Sequence, residues 1–89
     1  MDYEWNERKR VSSIKKHHGV DFADAEGFDW KTALVVYDGW HDDEDRWIAI
    51  GFIGIMIYVM VYSERGDTIR IISLRKATIN EVKYYGKNS

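Results

Sequence analysis

Cysteine is absent from this 89-residue sequence. That excludes a disulfide framework, thiolate catalysis and the zinc sites that join cysteine to histidine. The first residues lack the apolar stretch of a secretory leader, so a cytoplasmic protein is expected. No repeat or low-complexity stretch divides the chain, and a single domain over residues 1–89 is expected. Nor is there an excess of basic charge. The formal net charge is −2, which taken alone speaks against a nucleic-acid partner. A membrane-spanning helix is missing too. Trp47–Tyr62 is uncharged and mostly apolar, but falls short of the ~20 residues a helix needs to cross a bilayer. It contains Gly51 and Gly54 and is rich in Ile, Val, Trp and Tyr, which favours two strands folded back near Phe52–Ile55.

What is present is apolar mass and an uneven charge distribution. Four tryptophans and six tyrosines argue against disorder. A chain this short hides only ~65% of its unfolded surface, so its stability margin is thin. Residues 1–19 hold five Lys/Arg against three acids, residues 20–45 one against nine, and residues 46–89 seven against three. If folding joins the two basic segments, a basic patch coexists with a mildly acidic whole.

The local pattern predicts a short edge strand over Met1–Trp5, then a polar helix capped by Asn6 and running to about His17, ended by Gly19. Asp21 caps a second short helix, Phe22–Glu26, with Phe22 and Ala25 as its buried side. Strands are expected over Ala33–Tyr37, Arg46–Phe52, Met56–Ser63 and Thr68–Leu74, with Gly39–Asp45 as an acidic loop. Met56–Tyr62, apolar on both faces, reads as a central strand. Gly66 serves a hairpin turn, and Thr78 with Glu81 form a capping box for a last helix to about Tyr85.

Three stretches carry a resemblance to a known family. The first is Tyr3-Glu4-Trp5-Asn6, Lys9, and Lys16-His17-His18-Gly19-Val20-Asp21-Phe22 with Ala25. The second is Asp45-Arg46-Trp47-Ile48-Ala49-Ile50-Gly51. The third runs Val61-Tyr62-Ser63-Glu64-Arg65-Gly66-Asp67, Ile69-Arg70-Ile71-Ile72-Ser73, Arg75-Lys76-Ala77-Thr78 and Glu81. In this order they resemble the BrnT ribonuclease toxins, which share the RelE-like fold type. Departures are Asn6 for Asp, Ser13 for Asn, Asp45 for Glu and Leu74 for Ala, with one extra residue at His17-His18. His17 keeps the family's spacing from Trp5. The resemblance implies an α+β fold, with an antiparallel sheet of about four strands and two or three helices packed on one face. It implies an endoribonuclease that inhibits translation. It also implies a BrnA-type antitoxin partner in a hetero-oligomer, with operator DNA bound only through the antitoxin.

RNA cleavage without a metal needs a base for the ribose 2′-hydroxyl, a cation for the phosphorane and an acid for the departing 5′-oxygen. The catalytic candidates are His17, Arg46, Arg65 and Arg75, because imidazole transfers protons near neutral pH and guanidinium forks onto phosphate. Lys16, Tyr62, Arg70 and Lys76 are candidates for RNA binding. RelE-like enzymes generally manage with Lys, Arg and Tyr, so a histidine is not obligatory, and no one side chain is singled out as the base. No metal or cofactor is expected. Strict alternation puts Ile69, Ile71, Ser73 and Arg75 on one face of their strand and Arg70, Ile72, Leu74 and Lys76 on the other. Arg65 and Arg75 stand about 20 Å apart along the sheet at ~3.4 Å per residue, too far for one phosphate to touch both. Two other classes compete. His41-Asp42-Asp43-Glu44-Asp45 offers oxygens to a divalent cation, and exposed aromatics such as Trp40 suit a non-enzymatic protein-binding module.

Overall fold

The computed structural model describes residues 1–16 and 18–89. The chain runs β1 (Asp2–Trp5), α1 (Glu7–Lys16), a 3₁₀ helix (Phe22–Gly27), β2 (Leu34–His41), β3 (Glu44–Ile53), β4 (Met56–Arg65), β5 (Thr68–Lys76) and α2 (Ile79–Asn88). The expected α+β class holds, but the sheet has five strands in the order β1-β5-β4-β3-β2. The meander β2 to β5 is antiparallel throughout, whereas β1 lies parallel to β5, pairing Asp2 with Thr68 and Trp5 with Ile71. The expectation of about four antiparallel strands is thus corrected. A parallel partner more than sixty positions away leaves no local pattern.

Caps fix where the helices begin. Asn6 Oδ1 accepts from the Lys9 N–H at 3.2 Å, and Glu7 in the first turn with Lys15 and Lys16 in the last suits the helix dipole. Gly19, at φ +88°, donates its N–H to the Ile14 carbonyl and closes α1. Asp21 and Asp24 form a reciprocal capping box on the 3₁₀ helix, which buries Phe22 and Ala25. Thr78 and Glu81 do the same for α2.

The strands outrun their sequence signals. Gly39–Asp45 is not a loop: β2 continues through a register shift after Tyr37 to His41, and β3 starts at Glu44. Only Asp42 and Asp43 turn the chain, at φ 49° and 65°. This hairpin turn has positive φ at both central positions, which aspartate tolerates better than most side chains. Between β3 and β4 the chain turns at Gly54-Ile55, so residues 47–62 are two paired strands. No helix among the described residues is long and apolar enough to cross a membrane. β4 is the middle strand, as its two apolar faces predict.

Both sheet faces are packed. On the first, Val20, Phe22, Ala25 and Phe28 cover Ala49, Met60, Tyr62, Ile69, Ile71 and Leu74. Burying a side chain such as Phe22, 1% exposed, contributes on the order of 2–3 kcal/mol. On the second, Tyr85 of α2 packs with Ile50 and Val59, edge-on to Phe52, and donates to the Thr32 carbonyl at 2.8 Å. The expectation of helices on one face is therefore corrected: α2 covers the opposite face from the 3₁₀ helix. α1 adjoins β5 beyond the reach of β1, and its buried Ser13 hydroxyl makes a long 3.5 Å contact to the Leu74 carbonyl.

One irregularity changes the side-chain geography. Val61 pairs with Ser73 and Tyr62 with Ile71, leaving Ile72 as an extra residue in β5. The bulge breaks alternation. Leu74 joins Ile69 and Ile71 in the core. Arg70, opposite Ser63, and Arg75, opposite Val59, then share the second face. The strict-alternation grouping of Arg75 with Ile69 and Ile71 is corrected accordingly.

Candidate nucleic-acid site

α2 covers only part of the second face. In the remainder lies a cleft of about 230 Å³ lined by Lys9, His41, Asp42, Glu44, Arg46, Arg70 and Ile72. Its cations come from α1, β3 and β5, three elements that only the fold brings together. Arg46 follows Ile48 and Ile50 onto this face by alternation along β3. Arg70 sits opposite Ser63 on β4. Ser63 is fully buried and its Oγ has no hydrogen-bond partner among the described residues.

The two arginines are held differently from a buried structural pair. Arg46 donates from Nε to Asp38 Oδ2 at 2.8 Å. This fixes the guanidinium plane while its terminal nitrogens make no hydrogen bond among the described residues. Arg70 lies 3.9 Å from Glu4, an ion pair without a hydrogen bond. Both side chains are about one-third exposed, so each pair contributes under ~1 kcal/mol. His41 completes the wall, its Nε2 2.9 Å from the Asp38 carbonyl oxygen and 3.8 Å from Oδ2. A second hollow of about 300 Å³, lined by Arg8, Lys9, Ser12, Ser13, Lys16, Phe22, Ile72 and Ser73, shares Lys9 and Ile72 with the first.

The remaining sequence candidates scatter. Arg65 stands on the hairpin rim, with Nε 3.4 Å from Glu44 Oε2. Arg75 is clamped by α2, donating to Glu81 from both terminal nitrogens at 2.7 and 2.9 Å. These bonds, with the Thr78 N–H, hold the Glu81 carboxyl down at about 2 and raise Arg75 in turn. Arg75, Lys76, His18 and Thr78 line a separate hollow, away from Arg46. Tyr62 is 4% exposed on the first face, edge-on to Trp30 at 5.2 Å, so it offers no stacking surface. Burial, helped by Glu64, pushes its hydroxyl up to about 12. Lys16 lines the second hollow and not the cleft. His17 falls outside the described residues. Sequence reasoning overlooked Lys9 and Asp38 as cleft residues and named His41 only within the acidic run, as an alternative cation site. Lys9 was visible as a member of the first resembling stretch. The hairpin pairing of His41 with Glu44 was hidden by reading that segment as a loop.

No curated protein matches the chain. A family model described as the ribonuclease toxin BrnT of a type II toxin–antitoxin system matches residues 5–81. That range spans every residue of the cleft, from Lys9 to Ile72, and the Arg75–Glu81 clamp. The chain belongs to the BrnT family of ribonuclease toxins.

Proposed function

We propose that this chain is a metal-independent endoribonuclease toxin acting in the cytoplasm, whose RNA cleavage inhibits translation and whose activity a BrnA-type antitoxin blocks by forming a hetero-oligomer with it. Operator DNA is met only through the antitoxin. The observation that carries the reading is the convergence of Lys9, Arg46 and Arg70 on one cleft. Three cations around one hollow suit a phosphodiester, and their charge is worth most on the phosphorane, where negative charge grows. The half-buried Arg46, with its plane set by Asp38, needs little reorganisation to fork onto a phosphate oxygen. Lys16 and Arg8 extend the grip along the chain of the substrate, and Arg65, 3.4 Å from the cleft residue Glu44, adds a cation at the rim. Arg75 and Tyr62 serve the fold.

The purified protein is expected to cleave single-stranded RNA at the same rate with and without a chelator. Chelator-sensitive cleavage would transfer the chemistry to the acidic hairpin. Stable partner binding with no cleavage at all would favour the protein-binding module, a reading supported by Trp40, 63% exposed on the free-edge strand β2.

A further inference from the structure

We propose that His41 is the proton-transfer group of the cleft, with Nδ1 as its working nitrogen; this rests on the endoribonuclease reading above. Nε2 lies 2.9 Å from the Asp38 carbonyl oxygen. A carbonyl can only accept, so the hydrogen sits on Nε2 and the neutral ring keeps its lone pair on Nδ1. No hydrogen bond among the described residues engages Nδ1. His41 lines the same cleft as the cations. Asp38 binds both halves of the machinery: its carboxylate orients Arg46 at 2.8 Å and its carbonyl orients His41. The carboxylate, 3.8 Å from Nε2, is also placed to stabilise the imidazolium once it forms.

The charged groups around His41 are of both signs, with Glu4 of β1 beside Arg70. Asp38 on β2, Asp42 in the hairpin and Glu44 on β3 oppose Lys9 on α1, Arg46 on β3 and Arg70 on β5. The competing bases are less suited. Glu44 is tied to Arg65, and Asp42 sits exposed at the hairpin tip.

In the step itself, Nδ1 takes the proton of the ribose 2′-hydroxyl. The 2′-oxygen bonds to phosphorus, the phosphorus–O5′ bond breaks with its electron pair on O5′, and O5′ takes a proton from water. The products are a 2′,3′-cyclic phosphate and a 5′-hydroxyl, and the imidazolium returns its proton to solvent. Lys9, Arg46 and Arg70 carry the charge of the intermediate.

The test is single-turnover cleavage of a short RNA from pH 5 to 9 by wild type, His41→Gln and His41→Ala. Binding is followed on the same RNA with a 2′-deoxy scissile nucleotide. The expected result is a rate about 100-fold lower in His41→Gln, with the wild type's rising pH limb lost and RNA affinity within about threefold. Added imidazole should restore part of the rate in His41→Ala. A His41→Gln variant with the wild-type rate and limb overturns the assignment. So does a slow variant that has also lost RNA affinity and gains nothing from imidazole. A wild type that binds RNA but never cleaves it instead defeats the endoribonuclease reading, and this inference with it.

Discussion

Arg70 and Arg75 stand on the same strand and the same face, five residues apart, yet they are held in different ways. Arg75 is roofed by α2 and donates two short hydrogen bonds to Glu81. Arg70 lines the cleft beside Lys9 and Arg46, 3.9 Å from Glu4 with no hydrogen bond to it, although its side chain is no more exposed than that of Arg75. A guanidinium whose fork is already filled by a carboxylate has nothing left for a phosphate. One held loosely, beside other cations, is an unsatisfied site waiting for an anion. Residue type and sequence motif are equal for the two; what separates them is where α2 lies.

The largest effect that sharpens this contrast is expected at the open end. Arg46→Ala should lower RNA cleavage by about 100-fold or more while shifting stability by under ~1 kcal/mol, measured by single-turnover kinetics and denaturant melts. At the closed end the effect moves from activity to stability. Glu81→Gln should cost about 1–2 kcal/mol after allowance for solvent, with cleavage by the folded fraction unchanged. The clamp also has a pH signature. Glu81 is held below its ordinary 4.5, at about 2, so it contributes stability above pH ~4.5 that is lost as pH falls towards 2. Acid melts of wild type should show that loss, and those of Glu81→Gln should lack it. The smallest effect belongs to the buried tyrosine: Tyr62→Phe should leave cleavage within about twofold, since its ring faces the core, away from the cleft.

Much of the fold was legible in the sequence. The caps at Asn6, Asp21 and Thr78, the turn at Gly66 and the two-sided burial of β4 all follow from local chemistry, and the structure contains each. Less of the site was legible, for three physical reasons. The Ile72 bulge reverses the alternation after Ile71, so no period-two count through Thr68–Lys76 could put Arg70 and Arg75 on one face. The Asp42-Asp43 turn needs no glycine, so its acidic run hid a hairpin and with it the position of His41. The parallel pairing of β1 with β5 places α1, and hence Lys9, against the cleft through a contact far away in sequence. Arg46 and Arg70 were singled out as candidate residues. Their convergence needed the sheet.

The most direct measurement compares Arg70→Ala with Arg75→Met in one RNA-cleavage assay, each rate normalised to the folded fraction. The open cleft as the RNA site predicts that Arg70→Ala loses about 100-fold and Arg75→Met stays within about threefold of wild type. An Arg75→Met enzyme as crippled as, or worse than, Arg70→Ala would contradict it.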